Sequence, residues 1–108
     1  MKSTLLATLA CSVALAWAPS ASAQANAEAA MTKAGCMACH NKDKKVIGPS
    51  FKEIAKKHKG NPNDVATLTE KVRKGGSGVY GPVPMSPNPP DKISDADLKA
   101  AVEFILKT

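Results

Sequence analysis

Apolar positions recur at helical spacing in three stretches of this chain, and at strand spacing in none. Leu98, Ala101, Val102, Ile105 and Leu106 form a stripe at i, i+3, i+4, i+7 and i+8, preceded by Ser94 with Asp97 three residues on. That pattern predicts an amphipathic helix with a capping-box-like start, running to the end of the chain. Val65, Leu68 and Val72 mark the inner face of a second helix, with Asn61-Pro62 at its start and Gly75-Gly76 at its end. Phe51, Ile54, Ala55 and His58 mark a third over Phe51–Lys59, stopped by Gly60. The alanine-rich run Ala25–Ala34, ending at Gly35, predicts a fourth. Between the third and last of these in chain order lies Gly75–Pro90, with four of the seven glycines and five of the eight prolines. Neither a helix nor a central strand survives that density, so the segment reads as a long irregular loop, usually a functional one in so small a domain. The expected fold is all-α: four short helices and one long Gly/Pro-rich loop.

The first residues do not belong to that pattern. Met1-Lys2 is followed by an uncharged, mostly apolar run from Leu5 to Trp17 and by Ala21-Ser22-Ala23. This predicts a secretory signal peptide over 1–23, cut before Gln24, and a single domain over 24–108. The run is short for a membrane span, which needs about 20 apolar residues, so stable membrane insertion is not expected. Cys11 lies inside the apolar run, too early for a lipoprotein attachment site.

Composition then narrows the function. Residues 24–108 contain Phe51, Tyr80 and Phe104 as their only aromatics. A domain this small with so thin a core often needs a staple or a large buried cofactor. The whole chain has 15 Lys and Arg against 9 Asp and Glu, net +6, which falls by one without Lys2. Such a balance favours solubility and an acidic partner surface. The lysines are not interleaved with aromatics, so no nucleic-acid partner is expected.

The chemistry lies in Cys36-Met37-Ala38-Cys39-His40. Cys-x-x-Cys-His is the pattern of covalent c-type haem attachment. Residues i and i+3 of a helical turn share a face, so both thiols reach one haem, and the histidine that follows turns a ring nitrogen to the iron. A redox thiol pair would want a βαβ context, and a zinc site would want two further ligands, of which only His58 is available. A plain disulfide needs no histidine. For the second axial position, Met31 and Met37 sit beside the motif, on the wrong side to cross to the other haem face. Met85 lies in the proline-locked loop Gly81-Pro82-Val83-Pro84-Met85-Ser86-Pro87, a poor place for a core filler and a good one for a fixed ligand. His58 is the alternative. A histidine–methionine pair raises the haem potential and closes the iron to substrates, which points to electron transfer rather than catalysis. A five-coordinate haem enzyme or gas-binding protein is the rival.

With these residues in view, the chain resembles the class I c-type cytochromes, and most closely the small bacterial periplasmic group called cytochrome c-551 or c8. The resemblance rests on Gly35-Cys36-x-x-Cys39-His40, Val46-Ile47-Gly48-Pro49-x-Phe51, Gly78-Val79-Tyr80-Gly81-Pro82-Val83-Pro84-Met85-x-Pro87-Asn88 and the last helix with Phe104. It implies the cytochrome c fold around one haem c bound through Cys36 and Cys39, with His40 and Met85 as the axial, metal-ligating pair. It further implies that the Pro49 carbonyl accepts the His40 Nδ1 proton, that Asn88 bonds the ligand sulfur, and that Tyr80 donates to a haem propionate. Lys71 and Arg73 match a basic pair near the propionates. Met31 stands where related chains often have an aromatic, and would meet Phe104. An apolar rim of Met37, Ala38, Val46, Ile47, Val83 and Pro84, ringed by lysines, would dock redox partners. The implied role is a monomeric, non-enzymatic periplasmic electron shuttle. Its donor would be of the quinol–cytochrome c reductase kind, and its acceptor a terminal oxidase or nitrite reductase.

Overall fold

A computed structural model describes residues 21–108. The apolar run at 5–17 and Cys11 lie outside the described residues. Four α-helices are joined by loops and two short 3-10 turns: α1 (Ala21–Lys33), a turn at Cys36–Ala38, α2 (Phe51–Lys57), a turn at Pro62–Asp64, α3 (Val65–Lys74) and α4 (Asp95–Lys107). Among the described residues there is no strand, only two isolated antiparallel bridges, His40–Lys45 and Gly76–Met85.

Helix boundaries follow local chemistry. α1 begins four residues before the expected Ala25 and so includes the expected cut before Gln24. It closes at Gly35, whose φ of 83° is the left-handed C-cap that glycine tolerates. α2 starts with a full capping box, which was not among the expected features. Ser50 Oγ accepts from Glu53 N at 3.1 Å, and the Ser50 N–H donates to Glu53 Oε2 at 2.8 Å. These bonds favour the ionised Glu53 carboxyl and hold its pKa low. α2 ends at Lys57, two residues short of expectation, because Lys59 (φ 52°) and Gly60 (φ 60°) turn left-handed. Asn61 and Pro62 do open the next element, but as a 3-10 turn that feeds α3. Ser94 caps α4 by accepting from Asp97 N.

α4 is the centre of the fold and packs on α1, α2 and α3. Its inward face is the one read from spacing: Leu98, Ala101, Val102 and Leu106 are buried and Ile105 is half-buried. Met31 is 1% exposed, the deepest core residue of α1, and Phe104 packs half-buried on the same cluster. Phe51 closes the core toward the Cys-x-x-Cys-His segment, with its ring edge-on to Phe104 at 6.4 Å. Ser50 is 2% exposed, so its hydroxyl joins cap and core. Ser50→Ala should therefore lower unfolding stability by about 1–2 kcal/mol, the upper half of the usual N-cap range. Urea denaturation checks this. An unchanged midpoint would mean that water replaces the cap.

Candidate cofactor site

The Cys36–Ala38 turn follows α1 after one left-handed glycine. It is 3-10 rather than α, and residues three apart eclipse on such a turn, which puts Cys36 and Cys39 on one side. Bonds from Cys39 N and His40 N to Cys36 O, at 3.2 and 3.0 Å, fix the turn. Both cysteines are half-buried and free, not joined in a disulfide. Burial pushes the Cys36 thiol pKa up.

His40 is held from three sides. Its Nδ1–H donates to the Pro49 carbonyl at 2.8 Å. That bond fixes the tautomer and leaves the Nε2 lone pair for a metal. Its ring lies nearly parallel to Phe51, 6.0 Å between centroids and 26° between planes. Gly48 backs the ring so closely that a Cβ there would come to 2.6 Å from Cε1 and 3.0 Å from Nδ1. Gly48 also donates its N–H to Cys39 O at 2.8 Å. The glycine is thus required by the histidine ring, not by its own backbone angle. Gly48→Ala should tilt the ring off Pro49 and weaken the donor nitrogen, destabilising the protein by about 1–3 kcal/mol as over-packing does. A shifted His40 ring in NMR spectra, alongside a lower melting point, is the expected result. Wild-type ring shifts would show that the loop relaxes instead.

Met85 is fixed by the backbone. It exchanges two hydrogen bonds with Gly76, each 2.9 Å, just past the end of α3. Gly75, buried with φ 68° and ψ −149°, lies beneath it. A Cβ on Gly75 would sit 2.3 Å from the Met85 carbonyl oxygen. The side chain of Met85 is half-buried, in a segment whose Val83 is 59% exposed.

The other expected site residues divide. Tyr80 Oη is buried with no hydrogen-bond partner, and burial raises its pKa, with Glu53 adding to the effect. Lys57 reaches across from α2, with Nζ 4.9 Å from the Tyr80 ring centre and 3.4 Å from Val79 O. Asn88 is buried, but its amide donates to Val72 O (3.2 Å) and Ser86 O (3.0 Å), which uses both of its hydrogens on backbone. Arg73 is likewise engaged by backbone and by Asp95. Lys71 lies beside the Gly76–Met85 bridge, its Nζ 3.1 Å from where a Gly76 Cβ would stand. Of the alternative ligands, His58 ends α2 with Nδ1 bonded to Asp64 Oδ2 at 2.8 Å, and Met31 is core. Among the described residues no three His, Cys, Asp or Glu side chains gather as a metal cluster, so a protein-only zinc site finds no ligand set.

The donor set fits a haem. Two free thiols share a turn, an oriented imidazole offers Nε2, a thioether is anchored on a rigid segment, and the buried Tyr80 hydroxyl wants an acceptor of the kind a propionate provides. The missed contributors, Gly48, Gly75 and Gly76, carry no side-chain chemistry to notice.

Comparison with known proteins agrees. The family described as Cytochrome c matches residues 24–108. "Cytochrome c2" of Rubrivivax gelatinosus is 54% identical over 77 residues, covering 71% of this chain and 91% of that protein. "Cytochrome c-552" of Nitrosomonas europaea is 42% identical over 106 residues, covering 98% of this chain and 97% of that protein. The crystal structure of wild-type Nitrosomonas europaea cytochrome c552 superposes with a TM-score of 0.67 at 40% identity, covering 73% of this chain and 95% of that one.

Proposed function

Because the chain belongs to the cytochrome c family, and so is a haem-containing electron-transfer protein, we propose that it is a periplasmic shuttle whose iron is closed by His40 and Met85. The observation that carries this reading is the double backbone bridge between Gly76 and Met85, which commits the one loop methionine to a fixed place. In this reading Cys36 and Cys39 hold the haem by thioether bonds. His40 gives Nε2 to the iron while Pro49 keeps its ring oriented. Met85 would give its sulfur as the second iron ligand. Tyr80 donates its hydroxyl hydrogen to a propionate. The haem supplies a reversible one-electron iron couple, which methionine–histidine ligation places at a raised potential.

The chain's own residues also shape the encounter. Met37, Val46, Ile47 and Val83 are exposed apolar side chains, 41–59% accessible. Lys42, Lys44 and Lys45 stand exposed in the loop that carries Val46 and Ile47. Such a face suits brief docking on an acidic redox partner, in the small-interface range of transient electron-transfer pairs. In this reading the donor is of the quinol–cytochrome c reductase kind and the acceptor a terminal oxidase or nitrite reductase. Residues 1–23 act as the export signal. No described helix is long and apolar enough to cross a membrane.

Two measurements on the protein purified from periplasm test this. Haem staining should persist through denaturing electrophoresis on a chain that starts at Gln24, and a redox titration should follow a single one-electron curve. Loss of the stain on denaturation would rule out attachment through the two cysteines. A chain retaining residues 1–23 would rule out cleavage before Gln24 and mark those residues as an uncleaved anchor.

A further inference from the structure

We propose that Arg73 is a positioning residue for Met85, a clamp that keeps the loop from opening; the proposal rests on Met85 being an iron ligand. The guanidinium is 18% exposed and makes three bonds away from its own helix. Nη1 donates to Asn88 O at 2.9 Å and to Ile93 O at 2.8 Å, and Nη2 donates to Asp95 Oδ1 at 2.5 Å. It therefore ties the end of α3 to the start of α4 across the segment that follows Met85.

Besides Arg73, that segment is held to α3 through one residue, Asn88. Residues 86–92 form no helix or strand, and three of them are proline. Asn88 is its one buried residue, and it is fastened to the same turn of α3. The Asn88 N–H reaches Val72 O and Arg73 O at 3.2 and 3.3 Å, and its side-chain amide reaches Val72 O and Ser86 O. The last carbonyls of a helix have no partner within it, and here the loop supplies them. Loop and helix end thus form one hydrogen-bonded unit, with Met85 bridged to Gly76 at one side and Asn88 locked at the other. Arg73 satisfies two carbonyls of this unit at once. Without it, the carbonyls of buried Asn88 and Ile93 lose their Arg73 partner, and letting the loop swing into water becomes the cheaper state. Of the three bonds, the one to Asp95 matters least, since that carboxylate is 89% exposed.

An open loop leaves the sixth iron position to an outside ligand, and the apparent affinity for that ligand scales with the open fraction. Imidazole binding to the oxidised holoprotein therefore reads the clamp directly. Arg73→Gln should bind imidazole about tenfold more tightly than wild type, the scale of losing one charge-assisted bond. Arg73→Lys should fall between, because an ammonium cannot span the same forked set of acceptors. Asp95→Asn should stay within about twofold, as a surface pair does. Leu106→Ala, buried in the core at the far end of α4, controls for general instability: it should melt lower with imidazole affinity unchanged. Equal affinity in Arg73→Gln and wild type, or an equal gain in Leu106→Ala, would overturn the clamp alone. Absence of methionine ligation in the wild-type spectrum would overturn the reading beneath it as well.

Discussion

Met85→Ala should yield a folded, haem-stained protein that has lost the weak far-red absorption of methionine-bound ferric haem and gained the ability to bind carbon monoxide when reduced. The Met85 backbone bonds to Gly76 do not need the side chain, so the loop keeps its path and only the sulfur is removed. His40 remains, still oriented by Pro49 at 2.8 Å. The reduction potential should fall by on the order of 0.2 V, a fraction of the ~0.8 V that axial ligands span, because a soft thioether favours the reduced iron and water does not. Spectroelectrochemical titration measures both changes on one sample. His58→Ala should leave spectrum and potential where they were, since that ring is spent on Asp64. If the two variants exchange these outcomes, His58 is the ligand.

Gly75→Ala should be the most disruptive single methyl in the protein. Two costs add at this position. The backbone lies at φ 68° and ψ −149°, a region open almost only to glycine, and forcing an L-residue there costs roughly 1–3 kcal/mol. The new Cβ would also stand 2.3 Å from Met85 O and 2.9 Å from Pro87 N and Ser86 C, all backbone atoms that cannot rotate aside. Over-packing adds about 1–3 kcal/mol. A total of about 4 kcal/mol is a large share of the 5–15 kcal/mol a domain has, and corresponds to a melting point lower by on the order of 20 °C. The bridge to Gly76 would break first, so methionine ligation should be lost at temperatures where the helices persist. Gly78→Ala separates the two costs: its φ is 105°, yet nothing lies within 4 Å of its Cβ. It should lose the strain portion and keep the iron–sulfur bond. Equal losses in both variants would mean that Gly75 matters only for its dihedral angles.

Features encoded over short spans were legible in the sequence. The α4 stripe repeats every three or four residues, and its buried set differs from the expected one only at half-buried Ile105. The Cys-x-x-Cys-His spacing is as local, and the Gly75–Pro90 loop stands out as a change of composition. What escaped depends on partners far apart in the chain. The Gly76–Met85 bridge joins two loop residues with no periodic signal. Arg73 and Asn88 illustrate the same limit from another side: a basic side chain and an amide each suit several jobs, and the bonds both make to backbone carbonyls are visible only in the fold. The ends of α2 and the 3-10 entry to α3 turn on single dihedral angles at Lys59, Gly60 and Asn61, where propensities give no clear preference. The Ser50–Glu53 box was readable in principle, since its spacing of three is its signature.

Everything proposed for the iron rests on His40 and Met85, 45 positions apart in the sequence, closing both of its faces. The absorption spectrum of the wild-type holoprotein tests it most directly, taken oxidised and then reduced under carbon monoxide. The expected result is the far-red methionine band in the oxidised form and no change on adding carbon monoxide to the reduced form. No far-red band, together with a carbon monoxide complex, would contradict it and mark an open, five-coordinate haem.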